Sequence, residues 1–127
     1  MRRYTVYLAH PFGGNEGNRE DAIRIERGLN ILKDEEYEIV NPLTDEGVAK
    51  VALEVGYKED MIRGYCGGAL QVCNLVIFCP GWEHSTGCLY EHKVAKKHGI
   101  PRIYLTKHEA AILREVATRA RLEARVA

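Results

Sequence analysis

Residues 75–79 read LVIFC, an apolar run without a single polar interruption, preceded by Asn74 and followed by Pro80-Gly81. A short, continuously apolar segment between turn-forming residues is typical of a strand that is covered on both faces. Strands of this kind belong to parallel sheets with helices on either side. This run therefore predicts an α/β protein and serves as the reference for the rest of the chain.

Outward from residues 75–79, strand-like and helical segments alternate along the whole chain. Alternating strands and helices predict right-handed crossovers, a parallel sheet and helices on both faces. We expect one Rossmann-like or flavodoxin-like domain over residues 1–127, with strand order 2-1-3-4. The other predicted strands are YTVYLA at 4–9, YEIV at 37–40 and RIYL at 102–105, and the predicted helices cover 19–34, 58–72, 85–98 and 108–125, with a weaker one within 44–55.

The charge balance argues against a polyanionic partner. Lys plus Arg and Asp plus Glu each number 18 in 127 residues, so no overall field favours a nucleic acid polymer or an acidic membrane surface. The first residues lack the apolar core of a secretory signal, and no apolar run approaches ~20 residues. We expect a cytoplasmic protein that binds a small molecule.

Four cysteines occur, at 66, 73, 79 and 88, without a C-x-x-C pair. Their positions within helical and strand patterns indicate reduced, buried thiols. Cys88 and His92 are four residues apart on one predicted helix, but a closed zinc site needs four ligands, and two more are not evident. We therefore expect neither a metal nor another cofactor.

Strand order 2-1-3-4 places a ligand crevice between the ends of the first and third strands. The loop after the first strand reads HPFGGNEGN and matches neither the dinucleotide fingerprint nor the P-loop. We expect Asn18 to cap the next helix, whose first N–H groups are free to bind an anion. The alternative is a surface loop before a capped helix. Candidate binding residues in this loop are His10, Phe12, Gly13, Gly14, Asn15 and Arg19.

The second loop leads into the segment Ser85-Thr86-Gly87-Cys88-Leu89-Tyr90-Glu91. Gly87 and Glu91 lie on one helical face, so the Glu91 carboxylate is predicted to point into the space that a side chain at 87 would fill. The helix dipole is expected to keep Glu91 ionised, as a nucleophile must be. The alternative is a solvated glutamate, although positions 94 and 95 offer it no basic partner.

Three further side chains near the predicted crevice allow two interpretations each. Trp82 either stacks on a nucleobase or packs against the core. His10 and His84 either protonate a departing base or are ordinary loop histidines. Tyr7, inside the first strand, is interpreted as a core residue. On the last helix, Ile112, Val116 and Ala120 form a stripe that covers the sheet or joins a partner chain.

The motifs YLAHPF, FCPGW, STGCLYE and AKKHGI make residues 4–105 resemble the nucleoside 2-deoxyribosyltransferase-like family, which includes deoxynucleoside 5′-monophosphate N-hydrolases. The most specific part of this resemblance is the S-x-G-x-x-x-E spacing of Ser85, Gly87 and Glu91. The resemblance implies that Glu91 attacks the anomeric carbon of a ribosyl group. It also implies that Ser85 and Gly87 contact a phosphate or sugar hydroxyl, that residues 13–19 form a binding loop, and that the protein is a homodimer or larger homo-oligomer.

One departure from this family concerns the leaving group. Relatives carry an aspartate eight residues before the acidic residue that opens the third strand, and here these positions hold Cys66 and Asn74. Cleavage of an N-glycosidic bond usually needs activation of the leaving base as well as a carboxylate. Either Asp60, Glu83, His84 or a residue of another subunit replaces the missing acid, or activity is weak or absent.

The sequence thus predicts a hydrolase that cleaves the N-glycosidic bond of a nucleoside or its 5′-monophosphate, with Glu91 as nucleophile. The GNRED segment at 17–21 resembles the glycine-arginine loop with which the hydrolases of this family hold a 5′-phosphate, and this resemblance implies a phosphorylated substrate and hydrolysis. Two alternatives remain. One is a deoxyribosyltransferase that passes the sugar to a second base, and the other is a nucleotide-binding module without catalytic activity.

Overall fold

A computed structural model describes residues 4–33, 36–56 and 58–126, without the side chains at 59, 60, 125 and 126. It confirms the predicted α/β architecture. Four parallel strands form one sheet in the order β2-β1-β3-β4, with helices on both faces. The elements are β1 (Tyr4–Ala9), α1 (Glu16–Leu32), β2 (Tyr37–Val40), α2 (Glu46–Glu54), α3 (Glu59–Gln71), β3 (Leu75–Phe78), a 3-10 turn (Trp82–His84), α4 (Thr86–Lys97), β4 (Arg102–Tyr104) and α5 (Lys107–Val126).

The two central strands bury side chains on both faces, as the run at 75–79 predicts. Alternate residues divide between two cores, because successive side chains of a strand point to opposite sides. Tyr7 and Phe78 face a core formed with α3 and α4. Leu8 and Ile77 face a second core formed with α1 and α5. Any residue of β1 can therefore be assigned to one face by its position alone.

Most predicted boundaries hold to within one or two residues, which is the usual spread at the ends of elements. The start of α1 is different. The helix begins at Glu16 with Asn15 as its cap, so the prediction of Asn18 as the cap is wrong. Gly13 and Gly14 both have positive φ, 57° and 75°, and this turn brings the chain into the helix three residues early. The predicted last residue of this helix, Asp34, lies outside the described residues.

The last helix covers the sheet with a different stripe from residues 112, 116 and 120, so of the two roles predicted for those residues only the contact with a partner chain stays a prediction. Ala110, Leu113 and Ala117 are buried, whereas Ile112 is 42% exposed. The buried residues repeat at the three- and four-residue spacing of a helical face. They pack α5 onto the side of the sheet that α1 also covers.

Gly28 sets the distance between α1 and α5. A Cβ atom built at residue 28 would lie 2.3 Å from the Leu113 carbonyl oxygen, so alanine fits only if the two helix backbones move apart. We expect Gly28→Ala to lower the free energy of unfolding by about 2 kcal/mol, measured by urea denaturation. Gly64→Ala on α3 is the matched control. Its Cβ would meet nothing within 4 Å, and it is expected to stabilise the protein by about 0.5 kcal/mol. Equal effects of the two substitutions would contradict the steric argument.

Candidate active site

Glu91 lies in the second turn of α4 and points at the sheet. Helix α4 begins at Thr86 because the Ser85 side chain accepts a hydrogen bond from the Cys88 N–H at 3.3 Å, as predicted. Cys88, Glu91 and Ala95 then form the buried stripe of the helix. Glu91 is only 7% exposed, so the alternative of a solvated glutamate is wrong.

The partner of Glu91 is Tyr7, in the middle of β1. The Tyr7 hydroxyl donates a hydrogen bond to Oε2 of Glu91. Tyr7 is opposite Val76 in the β1–β3 register, so Glu91 reaches from above β3 to a side chain of the neighbouring strand. Tyr7 is a core residue, as predicted, but its hydrogen bond to Glu91 was not predicted from the sequence. A signal existed, because a fully buried tyrosine hydroxyl usually has a hydrogen-bond partner.

Burial dominates the electrostatics of this pair. It raises the pKa of Glu91 from 4.5 to about 7, while the hydrogen bond from Tyr7 lowers it by less. The prediction that the helix dipole keeps the carboxylate fully ionised is therefore wrong, since desolvation outweighs the dipole. The pKa of Tyr7 is raised well above its usual value by burial and then by the negative charge of Glu91. Glu91 is consequently the group of this pair that exchanges a proton near neutral pH.

Cys66, at the position where the resemblance leads one to expect an aspartate, lies close to both members of this pair. Burial and then the charge of Glu91 raise the pKa of the Cys66 thiol to about 11, and its interaction with Tyr7 lowers it by less. The thiol is thus neutral at physiological pH and a poor proton donor. Asn74, the other departure, lies at the start of β3, where its Oδ1 accepts a hydrogen bond from the Thr5 N–H at 2.8 Å.

Gly87 leaves open space at the start of α4. A Cβ atom at residue 87 would have a single neighbour within 4 Å, the Ser85 Oγ at 4.0 Å. The prediction that the Glu91 carboxylate points into this space is wrong, because Glu91 turns beneath the helix toward Tyr7. The space beside Ser85 can therefore accept part of a ligand without moving Glu91.

The loops after β1 and β3 meet as the predicted crevice requires. A Cβ atom at Gly81 would lie 3.6 Å from Cγ of Pro11. Within the first loop, Gly13 and Gly14 are exposed and Phe12 is partly buried. The Phe12 carbonyl accepts hydrogen bonds from Asn15 N at 3.0 Å and from Asn18 Nδ2 at 3.1 Å, so the loop is internally braced.

The structure gives the start of α1 less capacity for a phosphate than the sequence suggested. Oδ1 of Asn15 accepts hydrogen bonds from the N–H groups of Gly17 at 2.8 Å and Asn18 at 3.4 Å, so these donors already have a partner. The Arg19 side chain is 47% exposed and lies 3.8 Å from Glu16 on the same helix. The interpretation of this region as a loop before a capped helix describes these contacts well.

His10 lies on the opposite face of β1 from Tyr7. Its Nε2 is 2.7 Å from Oδ2 of Asp21, and its Nδ1 is 2.7 Å from the Pro11 carbonyl oxygen. Arg114 of α5 binds the same carboxylate through Nε at 2.5 Å and Nη2 at 3.0 Å. Burial alone would raise the pKa of Asp21, but the hydrogen bonds from Arg114 and His10 outweigh it and hold the pKa below its usual value. His10 thus ties the first loop to α1 and α5 and is not brought to Glu91.

The remaining candidates lie near the 3-10 turn after β3. Trp82 is partly buried and its ring packs against Phe78 at 5.2 Å and His92 at 4.6 Å between centroids, in agreement with the packing interpretation. Glu83 and His84 are exposed. Asp60, a proposed replacement for the missing acid, has its side chain outside the described part of the chain.

Two surface depressions lie near β2, at one edge of the sheet, with volumes of about 310 and 440 Å³. Asn30 of α1 lines both, together with residues of β2 or the rest of α1, and neither is lined by Glu91. They are surface grooves, separate from the buried Glu91–Tyr7 pair. Within residues 4–33, 36–56 and 58–126, no three His, Cys, Asp or Glu side chains converge as metal ligands, and no helix has the length and apolarity to cross a membrane.

Comparison with known proteins gives a single finding. The model of a family described as a domain of unknown function, DUF4406, matches residues 4–104. No curated protein and no solved structure matches the chain. The match extends from β1 to β4 and so includes the whole sheet and both members of the Glu91–Tyr7 pair.

Proposed function

Because the chain belongs to the DUF4406 family, whose description assigns no function, we propose one from the site. The protein hydrolyses the N-glycosidic bond of a nucleoside or nucleoside 5′-monophosphate, with Glu91 as nucleophile. The observation that carries this proposal is the buried Glu91 carboxylate, held by the Tyr7 hydroxyl beneath α4. The resemblance of residues 85–91 to the S-x-G-x-x-x-E motif of the deoxyribosyltransferase-like family supports it independently.

The arrangement suits a displacement at a sugar carbon. With Oε2 held by Tyr7, Oε1 attacks C1′ of the sugar, the C1′–N bond breaks, and its electron pair leaves on the base nitrogen, which takes a proton from solvent. Water then attacks C1′ of the glycosyl ester, and the bond between C1′ and Glu91 breaks. The electron pair returns to the carboxylate and the proton of the water passes to solvent. The products are the base and the free sugar, or the sugar 5-phosphate when the substrate is a nucleoside 5′-monophosphate.

Ser85 and Gly87 are the residues best placed to position the sugar. The bare position at Gly87 leaves room beside the Ser85 hydroxyl, one helical turn before Glu91. The Asn15 side chain accepts hydrogen bonds from two N–H groups at the start of α1, whereas the Ser85 side chain accepts only that of Cys88 at the start of α4. We therefore propose that any contact with a 5′-phosphate lies at the start of α4. The contacts of Arg19 and Asn15 make the preference for a phosphorylated substrate weaker than the sequence suggested.

Hydrolysis, base transfer and simple binding are separated by one assay. The protein is incubated with a panel of nucleosides and nucleoside 5′-monophosphates, and free base is measured with and without an added acceptor base. Release of base without acceptor supports the hydrolase, and release only with acceptor indicates a transferase. Tight binding without any release indicates a binding module, which the neutral Cys66 thiol at the position of the family acid favours.

The pH dependence of the rate tests whether Glu91 reacts in its ionised form. Because the carboxylate is the nucleophile and its pKa is about 7, kcat/KM is expected to rise about tenfold per pH unit below pH 7 and to level off above it. Tyr7→Phe removes the hydrogen bond that lowers this pKa, so the rising limb should move to higher pH. A rate that instead falls as the pH rises through 7 would mean that Glu91 acts as an acid.

A further inference from the structure

A second feature of the molecule, separate from Glu91, is a group of stacked rings on the β4 side of α4. Trp82 and His92 lie 4.6 Å apart between centroids with an angle of 25° between their planes, and Tyr104 lies 5.4 Å from Trp82. Nε2 of His92 is 2.7 Å from the Tyr104 hydroxyl, which fixes the two rings relative to each other. Phe78 supports them from the buried side. We call Trp82, His92 and Tyr104 the aromatic platform.

The aromatic platform is not part of the Glu91 site. Glu91 reaches over β3 to Tyr7 of β1, whereas Tyr104 belongs to β4, on the other side of β3. Glu91 and His92 are successive residues of a helix and project about 100° apart. Tyr104 is 44% exposed although it stacks with Phe78, so one part of the ring remains open to a ligand.

Two cationic side chains lie next to residues of the aromatic platform. Arg102 lies two residues before Tyr104 on the same face of β4, and Lys96 follows His92 by one turn of α4. Burial lowers the pKa of His92, and the charges of Arg102 and Lys96 lower it further. The ion pairs found among the described residues do not include Arg102 or Lys96. Among the described residues, Nη1 of Arg102 is also the one buried side-chain nitrogen or oxygen atom that has no hydrogen-bond partner.

Stacked rings beside cations that have no carboxylate partner among the described residues are suited to a ligand with a planar base and a phosphate. We propose that the aromatic platform binds a nucleoside phosphate, with its base against the exposed part of the Tyr104 ring and its phosphate beside Arg102 and Lys96. This site is additional to the one at Glu91. It does not depend on whether Glu91 cleaves a glycosidic bond.

Trp82 supplies the measurement, because it is the single tryptophan of the chain. Adenosine 5′-monophosphate is titrated into the protein and into Glu91→Gln, in which the probe is not consumed, while tryptophan fluorescence is followed. We expect saturable quenching in both proteins. Adenosine, which has the base without the phosphate, should bind at least about tenfold more weakly.

Matched variants separate stacking from charge. Tyr104→Ala and Arg102→Gln should each weaken the quenching at least about tenfold, and Lys96→Gln should weaken it in the same direction. Tyr104→Phe keeps the ring and should retain binding. Arg24→Gln, at an exposed position on α1, is the charge control and should bind as the parent does. Thermal unfolding followed by circular dichroism checks that each variant is folded. If Arg102→Gln does not fold, Lys96→Gln, at an exposed position, still tests the role of positive charge.

Three results would overturn the proposal. The first is an absence of quenching at every concentration of the probe. The second is equal binding by Arg102→Gln, Lys96→Gln and Arg24→Gln, which would show that charge near the platform has no part. The third is a parent protein that sediments as a dimer and does not respond to the probe, while Tyr104→Ala sediments as a monomer. The platform would then be the contact between two copies of the chain.

Discussion

Glu91→Gln is expected to reduce kcat on the order of 10³-fold or more, equivalent to about 4 kcal/mol of transition-state stabilisation. Glutamine has nearly the same shape and can still accept the hydrogen bond from Tyr7 through its amide oxygen. It has no anionic oxygen to attack C1′. The binding of substrate should change by less than about tenfold, because the step removed is chemical. The measurement is release of free base under saturating substrate, with affinity determined separately by calorimetry.

The control for this substitution is Glu54→Gln, which removes a carboxylate from an exposed position on α2. It should leave kcat and KM unchanged. Retention of the parent's activity by Glu91→Gln would remove Glu91 from the mechanism and with it the proposed glycosidase. A loss of activity that is accompanied by an equal loss of affinity would assign Glu91 to substrate binding and not to chemistry.

The fold could be predicted from the sequence because it depends on periodicity. The apolar run at 75–79 and the β-branched and aromatic run at 4–9 each identify a buried strand, and the crossover rules then restrict the topology to the order that the structure shows. The cap at Ser85 was also predictable, since a serine before a helical pattern is a common start. The cap of α1 was not, because Asn15 and Asn18 are both suitable and the choice depends on the turn at Gly13 and Gly14.

The candidate site was predicted less completely, and the reasons differ from residue to residue. His10 could have been assigned to the face opposite Tyr7, because residues 7 and 10 of an extended chain point to different sides. The burial of Glu91 could not, since it depends on how α3, α4 and β1 enclose one carboxylate. A local rule such as the helix dipole predicts an ionised group, and the desolvation that overrides it is a property of the tertiary structure.

The same carboxylate should also make the stability of the protein depend on pH. In the folded state the pKa of Glu91 is about 7, against 4.5 in an exposed chain. Below pH 4.5 both states hold the proton, whereas between pH 4.5 and 7 the unfolded chain releases it and the folded protein keeps it. The contribution of Glu91 is therefore fully present below pH 4.5 and is lost as the pH rises through 7, which amounts to about 3 kcal/mol.

Glu91→Gln cannot ionise and should escape this loss. Urea denaturation of the parent and the variant is therefore expected to show a difference in the free energy of unfolding that grows in favour of the variant by about 3 kcal/mol between pH 4.5 and 8.5. The change with pH is the decisive quantity, because any difference in packing between the two side chains is the same at every pH. Glu54→Gln should show no such change.

A difference that stays constant across this range would mean that the Glu91 carboxyl is not held in a desolvating site. A growing difference, together with loss of turnover in the same variant, would show that the burial which raises the pKa of this carboxyl weakens the fold while preparing the group for chemistry near neutral pH.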